Sequence, residues 1–127
     1  MRDLLERKID SFEKFEVVRR IWLRQAESLN VATITEGLQL PEGAIAATLA
    51  GLAAEGIILH EDGDRYRAAT DSSDADTIKR MLALYARDPL SMLRTLNEIA
   101  LRRLRGLAAR KFSDAFILSR KKENGDG

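Results

Sequence analysis

Cysteine is absent from this 127-residue chain, histidine and tryptophan occur once each, and proline twice. Without cysteine there are no disulfides and no thiol nucleophile, a composition that fits the cytoplasm. One histidine with no cysteine excludes the usual zinc ligand sets, which draw on several such residues. Long apolar runs are missing too: charges interrupt every stretch well short of the ~18 residues that mark a membrane span. No charged segment followed by an apolar block and a small-residue cleavage site opens the chain, so no secretory signal is expected. Net charge is only +1, and 45% hydrophobic against 32% charged residues is the balance of a folded protein.

The near-neutral total hides a division. Residues 1–73 carry 9 Lys/Arg against 13 Asp/Glu, giving −4, while residues 74–127 carry 12 against 7, giving +5. The halves face different electrostatic partners, or each other.

Ser11 is placed to cap a helix in which Phe15, Val18, Ile21 and Trp22 recur at helical spacing to about Gln25. Val31-Ala32 reads as a short strand, and Thr33-Ile34-Thr35-Glu36 as a capping box opening a second, brief helix. Gly37 weakens that helix, and Pro41 ends it by restricting Leu40. Pro41 then suits the first position of a third helix, which runs to Glu55 and stops at Gly56. Residues 57–60 and 65–68 read as strands joined by the turn Glu61-Asp62-Gly63-Asp64.

Helix, short strand, helix, tight turn, helix, hairpin: over residues 10–70 this order resembles the winged helix-turn-helix superfamily. Leu38-Gln39-Leu40-Pro41-Glu42 looks like the turn between its second and third helices. Leu52-Ala53-Ala54-Glu55-Gly56-Ile57-Ile58 looks like the exit from the third helix into the wing. Ile9-Asp10-Ser11-Phe12-Glu13-Lys14 and Ser113-Asp114-Ala115-Phe116 look like the two ends of small, uncharacterised bacterial winged-helix proteins. The resemblance implies a mostly α fold with a small β-hairpin wing, and a role in transcription regulation.

The remainder reads as a C-terminal helical extension. Ala75, Ile78, Met81, Leu82 and Tyr85 mark one amphipathic helix, and Asp88-Pro89 caps and starts the next, which continues to about Lys111. Ser113 is placed to cap a final short helix. The expected organisation is an N-terminal helix and winged helix-turn-helix over 1–72, the extension over 73–120, and a disordered tail over 121–127.

No catalytic constellation emerges. His60 sits in an expected wing strand beside Glu61 and Asp62, too isolated for a metal site or a triad. The acidic residues 61–64 are too few for a calcium loop and suit a solvated turn. Gly43, Gly51 and Gly56 belong to the third helix or its end, so they form no phosphate loop. The chain is expected to be non-enzymatic, with no cofactor and no metal.

Winged-helix proteins usually bind DNA by setting the third helix in the major groove, where Arg, Lys, Asn or Gln read base edges. Here Ile45, Leu49 and Leu52 take the core side of that helix, and the opposite face is Gly43, Ala47, Ala50, Gly51 and Ala54. That face offers a base no hydrogen-bonding side chain. Residues 30–73 hold two arginines, Arg65 and Arg67, against seven acids, a balance of −5 that opposes phosphate contact. The small face is open to three readings: alanine as a good helix former on a plain surface, a close-packing surface for a protein, or apolar contact with thymine methyls.

Positive charge gathers instead in Arg94, Arg102, Arg103, Arg105, Arg110 and Lys111, opposed only by Glu98. These residues and the wing pair are the candidate nucleic-acid contacts, with a solvated helix face as the plain alternative. The same helix carries Leu93, Asn97, Ala100, Leu104 and Leu107 at four-three spacing, a short heptad-like seam in which Asn can fix register. Either the chain's own helices wrap this seam, or a second copy covers it. The sequence therefore points to a regulatory protein acting through protein contacts and a homodimer, with no membrane partner. The alternatives are a DNA-binding regulator gripping phosphates through the basic helix, and an assembly module that never touches nucleic acid.

Overall fold

A computed structural model describes residues 1–125 of the chain, with side chains described for 1–41 and 43–108. The order is α1 (Arg2–Arg7), α2 (Phe12–Leu23), β1 (Leu29–Asn30), α3 (Val31–Ile34), α4 (Glu42–Ala54), β2 (Ile58–His60), β3 (Arg65–Ala68), α5 (Ala75–Arg87) and α6 (Pro89–Gly125). The protein is mostly helical, with a small antiparallel sheet ordered β1-β3-β2.

α2 starts where its chemistry dictates. The Ser11 hydroxyl accepts from the Lys14 N–H at 3.2 Å, satisfying a donor that helix geometry leaves free. Its buried face (Phe15, Val18, Ile21 and Trp22) is the expected stripe. The Trp22 indole N–H donates to the Ile57 carbonyl at 3.1 Å, joining α2 to the chain leaving α4. Arg20 donates to the Ile34 carbonyl at 3.1 Å and also to the Glu36 carbonyl, closing the far end of α3.

The expected capping box at Thr33 is not what starts α3. The Asn30 carboxamide oxygen accepts from the Thr33 N–H at 2.8 Å, so the helix begins three residues earlier. Val31-Ala32 is therefore helical, and the strand is Leu29–Asn30. Asn is at least as good a cap as Thr, and an N–H already bound to Asn30 cannot also open a box at Thr33. Gly37 follows at φ +78, a left-handed conformation that suits glycine and turns the chain away. Pro41 caps α4 rather than occupying its first turn: its ψ of 147 is extended, and its carbonyl accepts from the Ile45 N–H at 3.1 Å.

β3 is the central strand. Leu29 pairs with Tyr66 on one side, and Ile58 pairs with Ala68 and His60 with Tyr66 on the other. Gly63, at φ +64, makes the hairpin turn.

α5 and α6 complete the core. The Asp88 carboxylate accepts from the Ser91 N–H at 3.2 Å, so the Asp88-Pro89 start of α6 is as expected. Ile78 and Met81 of α5 and Met92, Leu96 and Ile99 of α6 enter the same buried cluster as Phe15, Leu49 and Ile57. Phe15 meets Tyr85 edge-on with ring centroids 5.0 Å apart, and Arg19 lies over the same tyrosine ring. α6 runs past Ser113 without the break expected there, because no Gly or Pro occurs between Leu107 and Asn124 to favour one. Its helical bounds also take in the first five residues of the expected tail.

α1 buries Leu4 and Leu5 in the core, and ion pairs also join it to α6. Arg2 approaches Glu98 at 3.5 Å, Arg102 approaches Glu6 at 3.6 Å, and Arg103 pairs with Asp10, which is only 6% exposed. Lys14 reaches the other Asp10 oxygen at 3.0 Å, so this buried carboxylate has two cations.

Candidate interaction surfaces

The outer face of α4 is built as the periodicity requires. Leu49 and Leu52 are buried and Ile45 is half-buried, while Gly43, Ala47, Ala50, Gly51 and Ala54 are all exposed. No residue of that face carries a side-chain donor or acceptor, and Glu55 at the helix end is an exposed acid. α4 rests mainly on β2 and leaves this face bare.

The two arginines of β3, Arg65 and Arg67, both make contacts within the chain. Arg65 donates to the Ser28 carbonyl at 3.1 Å, bracing the approach to β1. Arg67 lies 2.8 Å from a Glu61 oxygen, a close ion pair with angles outside those of a hydrogen bond. His60 stacks on Tyr66 at 4.8 Å, and its Nε2 lies 2.7 Å from the Gly63 carbonyl oxygen. The histidine thus helps hold the hairpin. A cleft of about 470 Å³ separates it from α4, lined by Val31, Ile45, Leu49, His60, Asp64 and Tyr66. Among the described residues no three His or carboxylate side chains gather as metal ligands would.

α6 presents three faces. Met92, Leu96 and Ile99 form the buried one, against α5 and α1. The seam lies about a quarter-turn away at 100° per residue. Leu93 is half-buried there, and Asn97, Ala100, Leu104 and Leu107 are exposed. The chain's own helices therefore wrap a stripe beside the seam and leave the seam itself open. Residues 101–108 are all exposed, although Arg102 and Arg103 among them reach Glu6 and Asp10.

The basic residues divide. Arg102 and Arg103 are drawn to Glu6 and Asp10, whereas Arg94 and Arg105 are exposed and take part in no ion pair among the described residues. The side chains of Arg110 and Lys111 lie outside the described residues. The structure does not bring the α4 face and the α6 seam together, since α6 packs chiefly on α5 and α1.

Two features escape a reading of the helix periods. Phe12 is 43% exposed and, with Ser11 and Glu13, forms one wall of a groove of about 300 Å³ whose other wall is Leu93, Leu96, Asn97 and Ala100. The available signal is that Phe12 falls off the Phe15-Val18-Trp22 stripe. Leu90, 62% exposed, stands three residues before Leu93 and extends the seam by one position. Among the described residues no helix is long and apolar enough to cross a membrane. Comparison with protein-family models, with curated proteins and with solved structures finds no match.

Proposed function

We propose that this chain is a non-catalytic winged-helix regulatory protein that works through protein contacts rather than base readout. The order α2-β1-α3-α4-β2-β3 and the β1-β3-β2 sheet support the winged-helix reading, with α4 in the place of the recognition helix. The observation that carries the rest is the bare Gly/Ala exterior of α4 beside a wing whose two arginines already have partners. Base edges are read mainly through side-chain donors and acceptors, which this face lacks, and phosphates need net positive charge, whereas residues 30–73 carry two arginines against seven acids. The exposed surfaces that remain are apolar, on α4 and along α6, as suits contact with protein.

A second reading is favoured by one observation. Arg94 and Arg105 are exposed on α6 without partners among the described residues, which suits a regulator holding phosphates through that helix. A gel-shift titration on duplex DNA over a range of salt separates the two. Protein-contact function predicts no shift at physiological salt. The second reading predicts a shift whose log–log salt slope, about −0.9 per phosphate contact, flattens when Arg94, Arg102, Arg103 and Arg105 are changed to Gln. A shift abolished by Arg65→Gln with Arg67→Gln alone would overturn both.

A further inference from the structure

We infer that the open seam of α6 is covered by a second copy of this chain, laid antiparallel across a two-fold axis that passes between Asn97 and Ala100. This rests on the protein-contact reading and names the partner.

With Leu90 included, the seam reads Leu90, Leu93, Asn97, Ala100, Leu104, Leu107, at spacings of three, four, three, four and three. That series is the same in both directions. Turned end over end, it sets Leu90 against Leu107 of the second copy, Leu93 against Leu104, and Asn97 against Ala100. Every layer then joins two leucines or joins a polar side chain to a small one, so no leucine of the seam faces a polar partner and the three-four spacing suits knobs-into-holes packing. Leu90, Leu104 and Leu107 are 62%, 62% and 53% exposed, so they are free to enter such layers.

The body supplies a matching receptacle. Leu93 and Asn97 line the groove beside Phe12, and the antiparallel arrangement delivers Leu104 of the second copy to its mouth. Leu104 is 62% exposed on α6 and is not covered by its own chain. Charge agrees as well. Glu13 is exposed on the groove wall and takes part in no ion pair among the described residues, and the arriving turn carries Arg105, which has no ion-pair partner among the described residues either. A parallel pair would instead place Asn97 against Asn97 and run Arg105 alongside its own copy, away from Glu13.

The absence of cysteine makes the test clean, because any introduced thiol is the only one in the chain. Leu90→Cys and Leu107→Cys alter exposed positions, and circular dichroism confirms that each full-length variant folds. Along the helix the two positions lie about 25 Å apart, whereas a disulfide requires Cα atoms within about 7 Å. On mild oxidation, an equimolar mixture should form the mixed disulfide dimer, and each variant alone should stay uncrosslinked. Sedimentation of the unmodified chain at about 100 μM should show a concentration-dependent dimer, since that concentration exceeds a micromolar Kd. Either variant crosslinking with itself would mean a parallel pair and overturn the inference. So would an uncrosslinked mixture or a monomer in sedimentation. None of these outcomes bears on the gel shift, which alone decides between protein contact and DNA.

Discussion

Replacing Trp22 with Phe tests the bolt between α2 and the exit of α4. The indole is 3% exposed, and its N–H reaches the Ile57 carbonyl at 3.1 Å. That carbonyl also accepts from the Ala69 N–H at 3.2 Å, so the substitution leaves it one partner rather than none. The hydrogen-bond loss should therefore lie near the ~1 kcal/mol of an ordinary bond, below the ~1–3 kcal/mol of an orphaned buried group. The smaller ring leaves unfilled space among Ile21, Ile57 and their neighbours, adding roughly 1 kcal/mol. The expected total is about 2 kcal/mol, or a fall in Tm of roughly 8 °C for a chain of this size. Trp22 is the only tryptophan, so unfolding in urea must be followed by far-UV circular dichroism. The midpoint should fall with the slope unchanged. A loss below ~0.5 kcal/mol would show that neither the indole bond nor the filling of this site matters, and would refute the reasoning.

Three further outcomes follow from the same contacts. Asn30→Ala should cost about 1 kcal/mol in urea unfolding, and Asn30→Asp much less, because a carboxylate also caps; if Thr33→Ala proves the costlier change, the cap belongs at Thr33 after all. The paired hydrogen bonds from Arg19 at 3.1 and 2.5 Å hold the Glu16 carboxyl below its ordinary value near 4.5, against the opposing effect of burial. Its contribution to stability should be complete above pH 4.5 and lost as pH falls through the lower folded-state value, and Glu16→Gln should flatten that acid limb in a pH series of urea midpoints. His60→Gln should cost no more than about 1 kcal/mol, the scale of the exposed cross-strand stack on Tyr66, and leave metal content by elemental analysis unchanged; loss of a stoichiometric metal would reverse that view of the histidine.

Much of the fold was legible because its helices announce their ends chemically. Ser11, Asp88-Pro89 and Gly56 each fix a boundary through one backbone requirement, and a single sequence displays such requirements openly. The start of α3 is expected three residues late because two overlapping caps compete for it, and only the folded geometry shows the Thr33 N–H bound to Asn30. The surface of α6 was legible as apolar but not as divided. Met92-Leu96-Ile99 and Leu93-Asn97-Ala100 are both acceptable stripes, and the choice between them is made by where α5 and α1 lie. The pairing of Arg102 and Arg103 with Glu6 and Asp10 joins residues more than ninety positions apart. Helix periodicity carries no record of a contact at that distance, so the basic helix looked freer than it is.

The central claim is the proposal that the exposed Gly/Ala face of α4 does not read bases. The most direct test exposes the purified chain to a pool of randomised duplex DNA, recovers the bound fraction over several rounds, and sequences it. A surface of Gly43, Ala47, Ala50, Gly51 and Ala54 carries no side-chain donor or acceptor and could favour a base only through methyl contact with thymine, so the recovered pool should show no enriched motif. An enriched motif that disappears when Ala47 and Ala50 are changed to Glu, with the fold intact by circular dichroism, would contradict the account.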